Sequence, residues 1–290
     1  MSEKRGKANT LIRVTELAMA LGRKHLADYG AVRSRKDFTQ RQLMACLILR
    51  AYLKTTYRGL VEILETSQKL RETLGMEEKL PHYSTLAKFS ARRSVQAVAE
   101  AMITRLGIAA RKARPEEAAA IDATGMETSA ASVYYRTRSG KENRRWVKVS
   151  AVVLCGLVMP LGVHFDWGPS HDMVQAHDVL EPVALNNAPP KLLGDAGHDA
   201  EWLHVACREH WGIQSVFKPA RCARDGSRSG KYRAMMSPEY LQEEGYGRRW
   251  HIESFWSGLK RTTGSALAAR NPASLLAEAA IRVLAYALRR

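Results

Sequence analysis

The spacing of apolar and polar residues predicts a helical first part of the chain. Apolar residues recur at every third or fourth position of 39–54, which predicts a helix with Thr39 as its N-cap. Two more helices are predicted, over 56–67 and from Ser84 or Thr85 to residue 106. The residues before about 36 are basic and partly helical in pattern. Short helices with basic outer positions favour a helix-turn-helix-like region, and a plain helical bundle is the alternative.

From about residue 115 the pattern changes to short apolar strands that later alternate with helices. Five strands are predicted, at 118–126, 146–155, 157–167, 190–197 and 213–220. Helices are predicted over 173–185, over 200–211 and from about residue 240 to the end. This order predicts an α/β fold with a mixed five-stranded sheet and helices on its faces. We therefore predict a helical domain over 1–114 and an α/β domain over 115–290, with a short basic insertion at about 218–240.

The charge of the chain is strongly positive and concentrated in its first part. The net charge is +16, and residues 1–114 carry 23 Lys and Arg against 10 Asp and Glu, whereas residues 115–290 carry 22 against 19. A concentrated positive field favours a polyanion such as nucleic acid. A membrane-spanning helix is not expected, because the longest uncharged run, 149–163, is short and contains Gly156 and Pro160. The scattered cysteines and the charged N-terminal sequence favour the cytoplasm, where the protein would associate with the nucleoid.

Three carboxylates have surroundings that suggest a site. Asp122 and Asp195 each end a predicted apolar strand, where sites of α/β proteins are built, although an Asp in this place is usually an ordinary turn residue. Glu253 follows Tyr246 and Arg249 and precedes Lys260 at spacings that put all four on one stripe of a helix. The alternative for this stripe is a solvated helix face with an Arg–Glu pair at i,i+4.

The spacing Tyr246-x2-Arg249-x3-Glu253-x6-Lys260 resembles the C-terminal signature of DDE transposases of bacterial insertion sequences. The segments IDATG around Asp122, LGDAGHD around Asp195 and YGRRWHIESFWSGLKRTTG resemble the same family, as does LPHYSTLAKF in the first part. Some members carry a large β-rich insertion before the Glu. Here 57 residues separate Asp195 from Glu253, which leaves room only for a short strand and a basic loop.

The resemblance implies a ribonuclease H-like catalytic domain, after an all-α DNA-binding region, in which Asp122, Asp195 and Glu253 are both catalytic and metal-binding. Three carboxylates suit Mg²⁺, with Mn²⁺ as a substitute, and two ions would serve one active site. Asp122 would bridge the ions, and Asp195 and Glu253 would each complete one. The implied reaction is metal-dependent cleavage at the terminal inverted repeats, followed by joining of the 3′ ends to target DNA.

Other residues are expected to contact double-stranded DNA, the implied partner, and a homodimer is expected on paired ends. The expected DNA-binding residues, most of which are cationic, are Tyr246, Arg249, Lys260, Lys88, Arg92, Arg93, Arg224 and Arg228. His198 is expected to cap or pack the turn after Asp195, and Trp256 to lie in the core. Two alternatives stay open: a ribonuclease H-like nuclease without strand transfer, and a non-catalytic DNA-binding protein derived from a transposase.

Overall fold

The computed structural model describes residues 9–33, 35–128, 146–220 and 229–290. They divide into two compact units. The first unit comprises Met1–Met102 and Leu259–Arg289, and the second comprises Ile103–Gly258 with Arg290. The unit boundaries fall inside two helices, so each of these helices contributes residues to both units.

The first unit is built around one helix that is buried on almost every side. This helix, α2 (Gln40–Tyr52), starts with a capping box, in which Thr39 accepts the backbone N–H of Gln42 and the Gln42 side chain accepts that of Thr39. Most of its residues are buried, because it packs against both α1 and the C-terminal helix α11. The helices of this unit are α1 (Thr10–His25), α2, α3 (Tyr57–Thr66), α4 (Gln68–Leu74), α5 (Tyr83–Ser90), the start of α6 (Ser94–Ala113), the end of α10 (Trp250–Thr263) and α11 (Pro272–Arg289).

The first unit agrees with the sequence prediction in part. The residues before 36, expected to be partly helical, contain α1, which packs against α2 and α4. The single helix predicted over 84–106 is two helices, α5 and α6, separated by a turn at 91–93, and His82 supplies the N-cap in place of Ser84 or Thr85. Helix α11, which the sequence analysis placed in the second domain, belongs to the first unit. The assignment of 1–114 to DNA binding and 115–290 to catalysis concerns function and stays a prediction.

The second unit contains all five strands found in the described residues, at the predicted places. They are β1 (Ala119–Met126), β2 (Trp146–Leu154), β3 (Met159–Gly168), β4 (Lys191–Gly194) and β5 (Gln214–Phe217). Its helices, besides the parts of α6 and α10, are α7 (Asp172–Asn187), α8 (Glu201–Val205, continued by a π-helical turn over Ala206–His210) and α9 (Pro238–Glu243). Short 3-10 turns cover Ala196–His198, Arg233–Met235 and Tyr246–Arg249.

The strands form one mixed sheet in the order β3-β2-β1-β4-β5. The pairs β1–β2 and β2–β3 are antiparallel, whereas β4 is parallel to both β1 and β5. Directly paired residues point to the same face, so the pairing of Asp122 with Ala151 places Ser150 on the opposite face. Ser150 bonds Gln175 of α7 and Asp122 bonds Trp256 of α10. Helices therefore cover both faces of the sheet.

The predicted fold class is confirmed: a mixed five-stranded α/β sheet of the ribonuclease H-like type with a helical N-terminal region. Among the described residues, no helix combines the length and the apolar character needed to span a bilayer.

Candidate active site

Asp122 and Asp195 lie side by side where the central strand β1 pairs with β4. Ile121 of β1 pairs with Gly194 of the parallel strand β4. The next residue in each segment is the carboxylate, and neighbouring strands lie about 4.8 Å apart. Asp195 directly follows the end of β4, as predicted, whereas Asp122 lies within β1 and not at its end. The two Asp residues, 73 positions apart in the sequence, are therefore brought together by one strand pairing.

The carboxylate of Asp195 is fixed by its own turn. Its Oδ1 accepts the backbone N–H of Gly197 at 3.0 Å and lies 2.8 Å from Nδ1 of His198. The hydrogen bond with His198 and the charge of that ring hold the pKa of Asp195 below its ordinary value, and burial opposes them. The His198 side chain is only 2% exposed, whereas that of Asp195 is 40% exposed. Asp195 therefore presents an ionised carboxylate at the surface of the site.

The carboxylate of Asp122 has a different environment. It is half-buried, and its Oδ2 accepts the indole N–H of Trp256 at 3.2 Å. Burial raises the pKa of Asp122, and the negative charge of Asp195 raises it further. Because the two carboxylates lie close enough to repel each other, a cation placed between them would be stabilised by both charges.

Glu253 lies on the first turn of α10, where it forms an i,i+4 ion pair with Arg249. The Glu253 side chain is 58% exposed and that of Arg249 is 21% exposed. The charge of Arg249 lowers the pKa of both Asp122 and Asp195, although other causes are larger. The guanidinium is thus close enough to act on three carboxylates. Burial raises the pKa of Tyr246. The charge of Arg249 lowers this pKa, and the charge of Asp195 raises it.

The four signature residues do not share one α-helix. Tyr246 and Arg249 belong to a 3-10 turn that starts after Gly245, which has a φ of 68°, and α10 begins at Trp250. The turn forms because Gly245 adopts the left-handed conformation at little steric cost. The predicted stripe is therefore wrong in its geometry, although the Arg249–Glu253 contact expected from it exists. Lys260 lies two turns beyond Glu253 on α10, in the part that belongs to the first unit.

The remaining predicted DNA-binding residues lie in two places. Lys88, Arg92 and Arg93 are exposed at the end of α5 and in the turn that follows. Arg92 donates to Gln40 at 3.1 Å and covers the ring of Phe89, so it is partly engaged within its unit. Arg224 and Arg228 lie outside the described residues.

The donor set fits a hard divalent cation only in part. Among the described residues, no group of three or more His, Cys, Asp or Glu side chains is arranged to hold a metal ion. Asp122 and Asp195 are nevertheless adjacent, and Mg²⁺ usually takes one or two protein carboxylates and completes its shell with water and phosphate. The two Asp residues therefore fit such an ion. Glu253 is paired with Arg249, whose charge also acts on both Asp residues.

Two contacts of this site were not predicted from the sequence. His198 was expected to cap or pack its turn, where its buried ring lies beside Phe217, but it also bonds the carboxylate of Asp195 directly. Trp256 was expected in the core, where it lies, but its indole N–H also reaches Asp122. The spacing Asp195-x2-His198 was a visible signal for the first contact, whereas nothing local indicated the second.

Fold and site together define the class. Two neighbouring carboxylates on parallel strands at the centre of the sheet, with a Glu at the start of a late helix, are the arrangement that the resemblance implies for ribonuclease H-like enzymes of the DDE type. Residues 113–288, more than half of the chain, match the family described as Transposase DDE domain, and the chain belongs to this family. No curated protein matches the chain at a significant level.

Proposed function

We propose that the protein is an insertion-sequence transposase that binds the terminal inverted repeats of its element, cleaves DNA at the ends and joins the 3′ ends to target DNA. The observation that carries this proposal is the pairing of β1 with the parallel strand β4, which brings Asp122, within β1, beside Asp195, directly after β4. The family membership supports it, because it covers the segment that contains all three carboxylates.

Each carboxylate has a role in the proposed reaction. Asp122, Asp195 and Glu253 would hold Mg²⁺, or Mn²⁺ in its place, with two ions per site. Such ions activate the attacking oxygen and stabilise the leaving oxygen of a phosphodiester. Asp195 is suited to this role because its side chain is 40% exposed and its Oδ1 is held by two hydrogen bonds.

The cations and the phenol of the site would bind the DNA backbone. Arg249 carries a guanidinium fork that matches a phosphate, and a phosphate would compete with Glu253 for it. Tyr246 can donate a hydrogen bond to a phosphate, and Lys260 can add a point charge. Lys88, Arg92 and Arg93 would contact the terminal repeats, as would Arg224 and Arg228 of the basic insertion. Two copies of the chain would act on paired ends, at the nucleoid.

The test uses the DNA that flanks the reading frame, including any inverted repeats, with a target plasmid and Mg²⁺. Asp122→Asn, Asp195→Asn and Glu253→Gln should each reduce end cleavage about a thousandfold or more, which corresponds to several kcal/mol of lost transition-state stabilisation. End binding should persist in all three. Asp178→Asn, which changes an exposed carboxylate of α7, is the matched control and should cut at the rate of the unmodified protein.

The products decide between the proposal and its alternatives. Joined molecules that depend on all three carboxylates support a transposase. Nicks or double-strand breaks without joining would refute strand transfer and indicate a nuclease. Binding to the ends without any cleavage, in both Mg²⁺ and Mn²⁺, would indicate a non-catalytic DNA-binding protein.

A further inference from the structure

His198 has no role in the proposed reaction, yet it makes the shorter of the two hydrogen bonds that the described residues form with the Asp195 carboxylate. Its Nδ1 lies 2.8 Å from Oδ1 of Asp195, and its side chain is 2% exposed. An ionised carboxylate only accepts hydrogen bonds, so Nδ1 must carry the hydrogen and donate it. The ring itself lies beside Phe217, at 6.4 Å between centroids. A buried ring with one nitrogen aimed at a site carboxylate suggests a positioning role.

The same carboxylate oxygen receives a second hydrogen bond. Gly197 donates its backbone N–H to Oδ1 of Asp195 at 3.0 Å. A Cβ at Gly197 would lie 3.0 Å from that oxygen and 3.4 Å from Oδ2 of Asp172, so the turn is closely packed around it. Both hydrogen bonds that the described residues make to this carboxylate therefore go to Oδ1. The other oxygen, Oδ2, is the one that they leave for a ligand.

We propose that His198 is a positioning residue that fixes the carboxylate of Asp195 through Nδ1, so that Oδ2 is presented to a divalent cation. This inference rests on the proposed function, because it assigns a metal to Asp195. Its physical basis is general. A carboxylate that binds a metal is commonly oriented by a hydrogen-bond donor behind it, and loss of such a donor typically weakens metal binding by about 10- to 100-fold.

Two substitutions separate the hydrogen bond from the packing of the ring. His198→Phe keeps an aromatic ring beside Phe217 but removes the donor. His198→Asn places an amide nitrogen the same number of bonds from the backbone as Nδ1, so it can restore the donor. His204→Asn is the matched control, because His204 is a buried histidine of the same unit that bonds Ser215 through its Nδ1.

The first measurement is the dissociation constant for Mn²⁺ of the full-length protein, followed by the electron paramagnetic resonance signal of the free ion. We expect His198→Phe to raise this constant about tenfold or more, and His198→Asn to return it to within about threefold of the unmodified value. His204→Asn should leave it unchanged. The inference is refuted if His198→Phe binds Mn²⁺ normally, or if His198→Asn is as weak as His198→Phe.

A double variant tests whether His198 acts through Asp195. If it does, adding His198→Phe to Asp195→Asn should not weaken Mn²⁺ binding beyond the effect of Asp195→Asn alone, whereas additive losses would overturn the inference. The unmodified protein separates this inference from the proposed function. Saturable Mn²⁺ binding without DNA cleavage would refute the function and leave the positioning role in place. Failure to bind Mn²⁺ saturably would refute the positioning role.

Discussion

A buried ion pair near the site allows a quantitative prediction for the change Arg233→Met. The carboxylate of Asp199 is fully buried and accepts three hydrogen bonds. Two come from the guanidinium of Arg233, at 3.0 and 2.9 Å, and one from the backbone N–H of Ala220, at 2.8 Å. Asp199 thus bonds both Ala220 and Arg233, which lie on either side of the basic segment 221–228 in the sequence. Methionine would keep the length of the side chain but leave the carboxylate with one donor.

The expected loss of stability follows from the burial of Asp199. Removing one partner of a buried ion pair costs about 3–5 kcal/mol, because the remaining charge is left without compensation. The Arg233 side chain is 22% exposed, so water can partly replace it, and we expect about 3 kcal/mol. The backbone N–H groups of Tyr232 and Arg233 still bond Glu201, which limits local unfolding.

The loss of stability in Arg233→Met should depend on pH in a definite direction. Burial alone would raise the pKa of Asp199, but the hydrogen bonds from Arg233 and Ala220 outweigh it and hold the pKa low. In the unmodified protein this stabilisation is therefore present at neutral pH and is lost as the pH falls through the low folded-state pKa. In Arg233→Met the dominant effect is burial, so the pKa rises. The destabilisation relative to the unmodified protein should shrink as the pH falls below neutral.

The assay is urea unfolding followed by tryptophan fluorescence at neutral and mildly acidic pH. Adding Asp199→Asn to Arg233→Met should recover part of the lost stability, because it removes the uncompensated charge. Lys231→Met removes a neighbouring cation from an exposed pair with Glu209 and should have little effect. A loss below about 0.5 kcal/mol for Arg233→Met, or a loss that grows on acidification, would refute this reasoning.

Three further predictions concern other parts of the chain. Asp195→Asn should lower the pKa of Asp122 in metal-free protein, because the charge of Asp195 helps to raise that pKa. An NMR titration of the carboxyl groups measures it, and an unchanged pKa of Asp122 would contradict the prediction. Gly107→Ala should destabilise the protein by about 1–3 kcal/mol despite the better helix propensity of alanine, because the added Cβ would lie 2.7 Å from backbone atoms of Leu161. A gain in melting temperature would contradict this prediction. Glu278→Gln should destabilise the first unit by about 3 kcal/mol, because the buried carboxylate pairs with two arginines and accepts two backbone N–H groups of the preceding loop. Hydrogen exchange of the α11 amides would measure this loss of stability, and unchanged protection would contradict the prediction.

Local sequence was sufficient for the five strands and for α2, and it singled out the carboxylates as candidates. The five strands were predictable because short apolar runs in this chain end at turn residues, and α2 was predictable from its period and its Thr39 cap. Asp122 and Asp195 stood out because each follows such a run. The break between α5 and α6 was not predictable, because Ala91, Arg92 and Arg93 are all compatible with a helix.

The contacts that make the site depend on residues far apart in the chain. The sequence by itself determined that Asp122 and Asp195 each follow a short apolar run and that Glu253 follows Arg249 at i,i+4. Only the tertiary structure decided that β4 pairs with β1, which places Asp195 beside Asp122, and that Trp256 reaches Asp122 from α10. It also decided that His198 turns its Nδ1 toward Asp195. The physical reason is that periodicity records which side of an element is buried, whereas strand pairing and side-chain hydrogen bonds arise from packing between segments.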